Sequence, residues 1–257
     1  ATLVAMMNAE LIEPNALVSL GAIDELKAVK SAADGDVRIG AMVSHTELAT
    51  SEQLVGGHAV VRRAASLIAH PTVRNIGTIG GAAAHGDPSS DLLPALVAAD
   101  AVIEAAGSAG RRDIAAEDFF EDYLTTTLAE GEVVAAVRLP KSPVGATGVY
   151  EKFTRVHGDY ATLSVAVMLA MTGGNCSFVR IALGAAGPKP IRVRAAEALL
   201  IGSDLDGKAI AAASQLLAEA SDPVDDVRGS ADYRLILVPR LLSRALANAR
   251  SQVEGAA

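Results

Sequence analysis

Two neighbouring stretches place groups suited to binding an anion close together. Gly77-Thr78-Ile79-Gly80-Gly81 sets paired glycines behind a hydroxyl, and His85-Gly86-Asp87-Pro88-Ser89-Ser90-Asp91 follows within a few residues. Adjacent glycines let the backbone approach a ligand closely and adopt dihedrals closed to other residues. Successive N–H groups in such a loop form a concave anion nest, and a helix start just beyond it adds partial positive charge. Together they suit a pyrophosphate without lysine or arginine. The hydroxyls of Thr78, Ser89 and Ser90 can donate to phosphate or sugar oxygens. Asp91 can accept from a ligand hydroxyl or simply cap the helix that follows. On physics alone, a paired-glycine segment before a helix is also an ordinary tight turn. It is neither a Gly-x-Gly-x-x-Gly fingerprint after a strand nor a phosphate loop ending in Gly-Lys-Ser/Thr.

The elements that position these groups follow from periodicity. Residues 37–43 alternate as a strand, and Ser44 caps a short helix through Leu48 and Ala49. Residues 57–69 carry apolar positions at helical spacing, ended by His70-Pro71. The glycine segment is read as a loop, with the next helix over 91–98. Residues 101–105 and 111–114 form a hairpin, and 132–139 a strand stopped by Pro140. Lys141-Ser142-Pro143-Val144-Gly145 is the best linker. Beyond it the pattern predicts strands at 148–156, 161–171 and 175–184, with Gly173-Gly174 as a tight turn. Helices at 192–201, 207–219 and 232–250 complete a separate α+β unit.

Composition narrows the function. The 257 residues carry 22 basic and 30 acidic side chains, a net charge of −8. Nucleic acids and anionic membranes need a basic footprint, so neither is an expected partner. The single cysteine, Cys176, cannot by itself hold an iron–sulfur cluster, a structural zinc or an internal disulfide. No uninterrupted apolar run is long enough for a transmembrane helix, and the start lacks a basic stretch followed by an apolar one, so a cytoplasmic protein is expected. No nucleophile–base set, paired catalytic carboxylates or metal-ligand spacing stands out. His45, His58, His70 and His157 have no partner pattern and read as ordinary structural histidines.

The run from Ala69 to Asp91, AHPTVRNIGTIGGAAAHGDPSSD, closely resembles the second FAD-binding segment of one family: the medium subunits of carbon monoxide dehydrogenase and related xanthine-dehydrogenase-type molybdenum hydroxylases. Ile39-Gly40-Ala41-Met42-Val43-Ser44-His45 resembles the family's strand and turn between its two flavin-binding loops. Glu132 to Pro140 resembles the strand that closes the flavin domain. Tyr150-Glu151-Lys152-Phe153, Asp159-Tyr160-Ala161, Gly184-Ala185-Ala186-Gly187 and Ser230-Ala231-Asp232-Tyr233-Arg234 resemble parts of its C-terminal domain. The likeness runs in order along nearly the whole chain, which is far more specific than any one motif.

The resemblance implies an α+β fold: an FAD-binding domain of the vanillyl-alcohol-oxidase (PCMH) type over 1–143, then a smaller C-terminal domain over 147–252 built on a three-stranded antiparallel sheet with helices. It implies FAD as cofactor, held by Thr78, Ile79, Gly80, Gly81, Ser89 and Asp91. His85 lies near the flavin or serves as a turn histidine. Lys152 resembles a family lysine near the flavin ring, although a surface lysine at a strand edge fits the residues as well. Asp159 and Tyr160 resemble residues at the flavin entrance. With a 3% aromatic content and no Trp, a flavin would lean on backbone and aliphatic contacts. The resemblance also implies a large molybdopterin subunit and a small subunit with [2Fe–2S] clusters as partners, in a heterotrimer or a dimer of heterotrimers. The chain would pass electrons from the clusters through FAD to an external acceptor. Ala1-Thr2-Leu3 resembles the tail of the family's first flavin loop, so an incompletely represented first loop is expected. A flavin-free bridging subunit and a stand-alone FAD oxidoreductase are the alternatives.

Overall fold

The computed structural model describes residues 1–255. The first part centres on a five-stranded antiparallel sheet. Its strands are β1 (Val29–Ser31), β2 (Val37–Gly40), β3 (Val102–Gly107), β4 (Gly110–Ala115) and, after a small ribbon of β5 (Phe120–Asp122) and β6 (Thr125–Thr126), β7 (Val133–Leu139). The spatial order is β1-β2-β7-β3-β4. The closing strand β7 thus lies in the middle, between β2 and β3, which explains its almost wholly buried Val134–Val137 run. The 101–114 hairpin forms as the alternation requires, with Gly107 paired to Gly110.

The first part also carries the short helices α1 (Thr2–Asn8), α2 (His45–Thr50), α3 (Ala59–Ser66), α4 (Pro71–Arg74), α5 (Ile79–His85), α6 (Leu92–Ala98) and α7 (Ala116–Phe119), of which α5 packs on β7 and α1 buries none of its residues. Ser44 caps α2 with a full capping box, its Oγ accepting from the Glu47 N–H while the Glu47 carboxylate accepts from the Ser44 N–H. This satisfies two of the amides that a helix start leaves open. The helix expected over 57–69 is shorter, a tight turn at Gly56–His58 running into α3. Pro71 sits in the first turn of α4, where its missing N–H costs nothing.

The C-terminal part holds β8 (Thr147–Phe153), β9 (Leu163–Thr172) and β10 (Asn175–Gly184) in antiparallel order β10-β9-β8. Helices α8 (Arg194–Leu200), α9 (Gly207–Glu219) and α10 (Ala231–Gly255) follow. Gly173 and Gly174 both have positive φ in the turn between β9 and β10, the conformation a two-residue hairpin demands.

Both faces of this sheet are buried. Tyr150, Ala166, Met168 and Ala182 face the core of the first part, whereas Val149, Val165, Val167, Leu169, Ile181 and Leu183 face α8–α10. An antiparallel sheet with one wet face alternates in polarity; one sandwiched between two layers reads as a continuous apolar run. Leu163–Ala170 is close to such a run: every residue is buried and only Ser164 is polar. The two cores are therefore built on one shared sheet.

The tightest point of that junction is Gly148 on β8. A Cβ there would collide with the Gly57 carbonyl oxygen and the Val60 amide nitrogen, and backbone cannot swing aside as a side chain would. Gly148→Ala should therefore destabilise the protein by about 1–3 kcal/mol or more, read as a lowered urea midpoint. An unchanged midpoint would show that the junction is looser than its geometry.

Candidate functional site

The paired glycines do not form a loop. Thr78 is the N-cap of α5, and Gly80 and Gly81 lie inside its first turn. The Thr78 Oγ1 accepts from the Gly81 N–H at 3.1 Å. The Ile79 N–H donates to the Val43 carbonyl at 3.0 Å, and the Gly80 N–H to the Ala41 carbonyl at 2.9 Å. The expected anion nest of free amides is thus corrected: these donors face the strand end at Ala41–Val43 or the cap. Gly80 is required for this seat, because a Cβ would collide with the Ala41 Cβ and lie 2.8 Å from its carbonyl oxygen.

Gly81 is different. It is exposed, and a Cβ there would meet only Thr78 Oγ1, at 3.0 Å. The backbone at Thr78–Gly81 is therefore open on its outer side. The Thr78 hydroxyl, having accepted one bond, keeps its proton for a ligand. His85 is half-buried in the last turn of α5, ahead of Gly86, which ends the helix with φ +63°. Asp87 makes an Asx turn, its carboxylate accepting from the Ser89 N–H at 2.9 Å. Ser89 borders a cleft of about 30 Å³ shared with Tyr123, Ala185, Asp226 and Arg234. That space holds about one water molecule, far less than a drug-sized ring system needs.

Asp91 and Lys152 are brought together. The Lys152 Nζ lies 2.8 Å from Asp91 Oδ2, with side chains only 4% and 6% exposed. The Tyr150 hydroxyl donates to Asp91 Oδ1 at 2.7 Å, and Lys152 also donates to the Leu67 carbonyl at 3.2 Å. Asp91 makes no capping bond to α6, and Lys152 is not a surface lysine. Burial pushes the Asp91 carboxyl up, against the opposing pull of Lys152. Burial, reinforced by Asp91, keeps the Tyr150 hydroxyl well above its ordinary range, so it stays a donor. This buried pair joins the helix after the glycine segment to the shared sheet.

Tyr160 is exposed, with the Arg228 guanidinium 5.0 Å from its ring centroid. Although the residue is exposed overall, partial burial of the hydroxyl raises its pKa, with a smaller contribution from the Asp87 carboxylate. Asp159 accepts from the Tyr160 N–H at 2.7 Å. Cys176 is buried, its thiol pushed up to about 11 by burial, as expected of a small hydrophobe.

His45, read from the sequence as a structural histidine, is buried: the residue is 6% exposed, and its Nδ1 has no hydrogen-bond partner among the described residues. The ring packs on Gly77: a Cβ there would lie 2.7 Å from His45 Cδ2 and Nε2. Burial lowers its pKa to about 4, with a smaller contribution from Arg74. A lone histidine after a capping serine carries no sequence signal of this; its spacing from Gly77 becomes meaningful only once α2 and α5 are docked.

Comparison with known proteins decides the family. Residues 1–142 match the FAD binding domain in molybdopterin dehydrogenase, and residues 148–249 match the CO dehydrogenase flavoprotein C-terminal domain. This chain belongs to the FAD-binding family of molybdopterin dehydrogenases. It is 35% identical to the carbon monoxide dehydrogenase medium chain of Afipia carboxidovorans, covering 98% of this chain and 88% of that one. It is 34% identical to the 6-hydroxypseudooxynicotine dehydrogenase complex subunit alpha of Paenarthrobacter nicotinovorans, over 96% and 84% of the two chains. A crystal structure of the Cu,Mo-CO dehydrogenase superimposes with a TM-score of 0.94 at 36% identity, over 97% of this chain and 87% of that one. Quinoline 2-oxidoreductase from Pseudomonas putida 86 gives a TM-score of 0.90 at 32% identity, over 98% and 87%. FAD is thus the cofactor of the domain. The residues fit it in one observed respect, the open outer face at Thr78–Gly81.

Two outcomes test this geometry. Lys152→Met should cost about 3–5 kcal/mol, because it leaves Asp91 buried without its cation; adding Asp91→Asn should restore a large part of that, seen by urea unfolding. Strict additivity would show that the two charges are uncoupled. For His45, folding lowers the pKa from 6.5 to about 4. The stability of the neutral buried ring is whole above pH 6.5 and is lost as the pH falls toward 4. His45→Gln should flatten that part of the stability–pH curve.

Proposed function

We propose that this chain is the flavin-bearing electron-transfer subunit of a molybdenum hydroxylase, an oxidoreductase whose substrate chemistry resides on other chains. The observation that supports this reading most is the ordered match of both parts of the chain to flavoprotein family models, with 30% or greater identity to several medium chains. FAD, when bound, supplies a centre that exchanges single electrons with a cluster and pairs with an acceptor. The chain's own residues have simpler tasks. Thr78 and Gly81 present a hydroxyl and open backbone to the nucleotide. Gly80 holds that segment against Ala41. Ile79 anchors it in the core. His85, Asp87 and Ser89 shape the segment leading to Asp91, and the Asp91–Lys152 pair fixes that segment against β8. Lys152, being engaged by Asp91, lends a cation to this region through the pair and not as a free charge.

We further propose the partners and division that the resemblance implies. A large molybdopterin subunit and a small [2Fe–2S] subunit assemble with this chain into a heterotrimer or its dimer, in the cytoplasm. Electrons enter from the clusters and leave to an external acceptor. Residues 1–143 hold FAD and 147–252 form the C-terminal domain. No helix among the described residues is long and apolar enough to cross a membrane. A second reading, a flavin-free bridging subunit, draws on the inward commitment of the Ile79 and Gly80 amides.

The deciding measurement is the visible absorption of the purified chain, alone and with its natural partners. Flavin bands, with FAD released in stoichiometric amount on denaturation, are expected. Their absence from both samples would replace the relay with the bridging role. Rapid reduction of the bound flavin by the substrate-reduced complex, abolished when the iron–sulfur subunit is left out, is the expected signature of the relay.

A further inference from the structure

We propose that Arg234 is a positioning residue of the FAD site, holding the Pro88–Ser89 turn in place through Ala185. This deepens the FAD reading and rests on it.

Arg234 closes the stretch Ser230-Ala231-Asp232-Tyr233-Arg234, to which the proposed function gives no task. It lies in the first turn of α10, with a side chain only 4% exposed. Its guanidinium is engaged by three separate segments. Nη1 donates to the Thr162 carbonyl at 2.6 Å and to the Ala185 carbonyl at 3.2 Å. Nη2 lies 2.5 Å from Asp226 Oδ1. Asp226 is itself fixed, since Oδ1 also accepts from the Arg228 N–H at 2.7 Å and the Gly229 N–H at 3.2 Å. A rigid planar fork can serve several acceptors at set angles, which a lysine ammonium on its flexible stem does not reproduce.

Ala185 is the link to the site. Its φ is +58°, in the left-handed region that a residue with a Cβ avoids. Its neighbours are held on both sides. A Cβ on Gly184 would lie 2.5 Å from Ser164 Oγ and 2.8 Å from Pro94 Cγ, and the Ala186 carbonyl accepts from the Asp222 N–H at 2.9 Å. In this conformation the Ala185 N–H donates to the Pro88 carbonyl at 2.9 Å, while its own carbonyl is the one that Arg234 holds. Asp91 ties the end of the 85–91 segment to β8 through Lys152 and Tyr150. The Pro88–Ala185 bond ties the middle of that segment to the end of β10. Asp87 gives no such tie through Oδ1, which accepts within the turn from the Ser89 N–H. Arg234 and Ser89 also border the same small cleft, so the clamp stands beside the turn that it steadies.

A second buried arginine supplies the control. The Arg192 side chain is 3% exposed and bonds to Asp100 and, at 2.8 Å, to Glu197. Neither partner lies in the 85–91 segment. Both arginines hold the fold together, and only Arg234 reaches the site.

The test uses the full chain in its natural complex, stripped of flavin and reloaded with FAD. Flavin fluorescence gives the dissociation constant, and visible circular dichroism reads the setting of the bound ring. Arg234→Lys should weaken FAD binding by roughly fivefold or more and change the flavin dichroism. Arg192→Lys should lower the urea midpoint and leave both flavin readouts as they are. Ala185→Gly should restore part of the affinity to Arg234→Lys, because glycine holds a left-handed turn without a clamp. In the unsubstituted complex, FAD loading should slow amide exchange at residues 183–188 and 228–236, since a site steadied by the clamp steadies it in return. Wild-type affinity and dichroism in a folded Arg234→Lys protein would overturn the proposal. So would equal flavin effects from Arg192→Lys, no rescue by Ala185→Gly, or exchange at those segments indifferent to FAD. The exchange measurement decides even where the variants fail to fold. Should the unsubstituted complex bind no FAD at all, the failure belongs to the flavin reading itself.

Discussion

Two backbone hydrogen bonds hold the candidate site to the core. The carbonyls of Ala41 and Val43 take the amides of Gly80 and Ile79, so the glycine segment is docked on the end of β2 and not left free to mould itself to a ligand. Gly80 permits the approach and Ile79 is fully buried beneath it. Once α5 is seated this way, Gly81 must look outward, Thr78 must cap, and Gly77 must lie against His45. The arrangement of donors follows from that single docking.

The sequence shows clearly the elements that depend on local periodicity. The bounds of α9, the β9–β10 hairpin around Gly173-Gly174 and the central strand β7 all follow from apolar spacing and turn chemistry. What it hides depends on contacts between distant segments. Glycines have poor helix propensity, so a helix beginning Ile79-Gly80-Gly81 reads as a loop until Ala41–Val43 is brought against it. Asp91 and Lys152 stand 61 residues apart, and neither carries a local sign of the other. As single residues they read as a ligand acceptor or cap and as a flavin-side or surface lysine. Buried together, they satisfy one another. His45 is hidden for the same reason.

The site therefore combines two kinds of order. Its outer face is backbone and small side chains, which suits a chain with 3% aromatic residues. Its inner face is a set of buried polar groups, Asp91, Lys152 and Tyr150, whose mutual pairing keeps the 85–91 segment fixed against the shared sheet. A buried ion pair is weak evidence of stability, but losing either partner leaves the other charge buried and uncompensated. Here the pair spans the boundary between the two matched family regions, so the position of one is tied to the other.

The shared sheet has a consequence for how such chains can be recombined. Two family regions meeting at a short linker resemble a cassette and its carrier, ready to be exchanged between relatives. The β8 strand defeats that view: its Tyr150 belongs to one core, its Val149 to the other, and its Gly148 lies directly against the backbone at Gly57–Val60. A chimera cut at the linker would inherit β8 from one parent and its bed from another. The natural exchangeable unit is therefore the flavin region together with the β8 face that it grips, and the inheritance of Gly148, Tyr150 and Lys152 is coupled to that of Gly57 and Asp91.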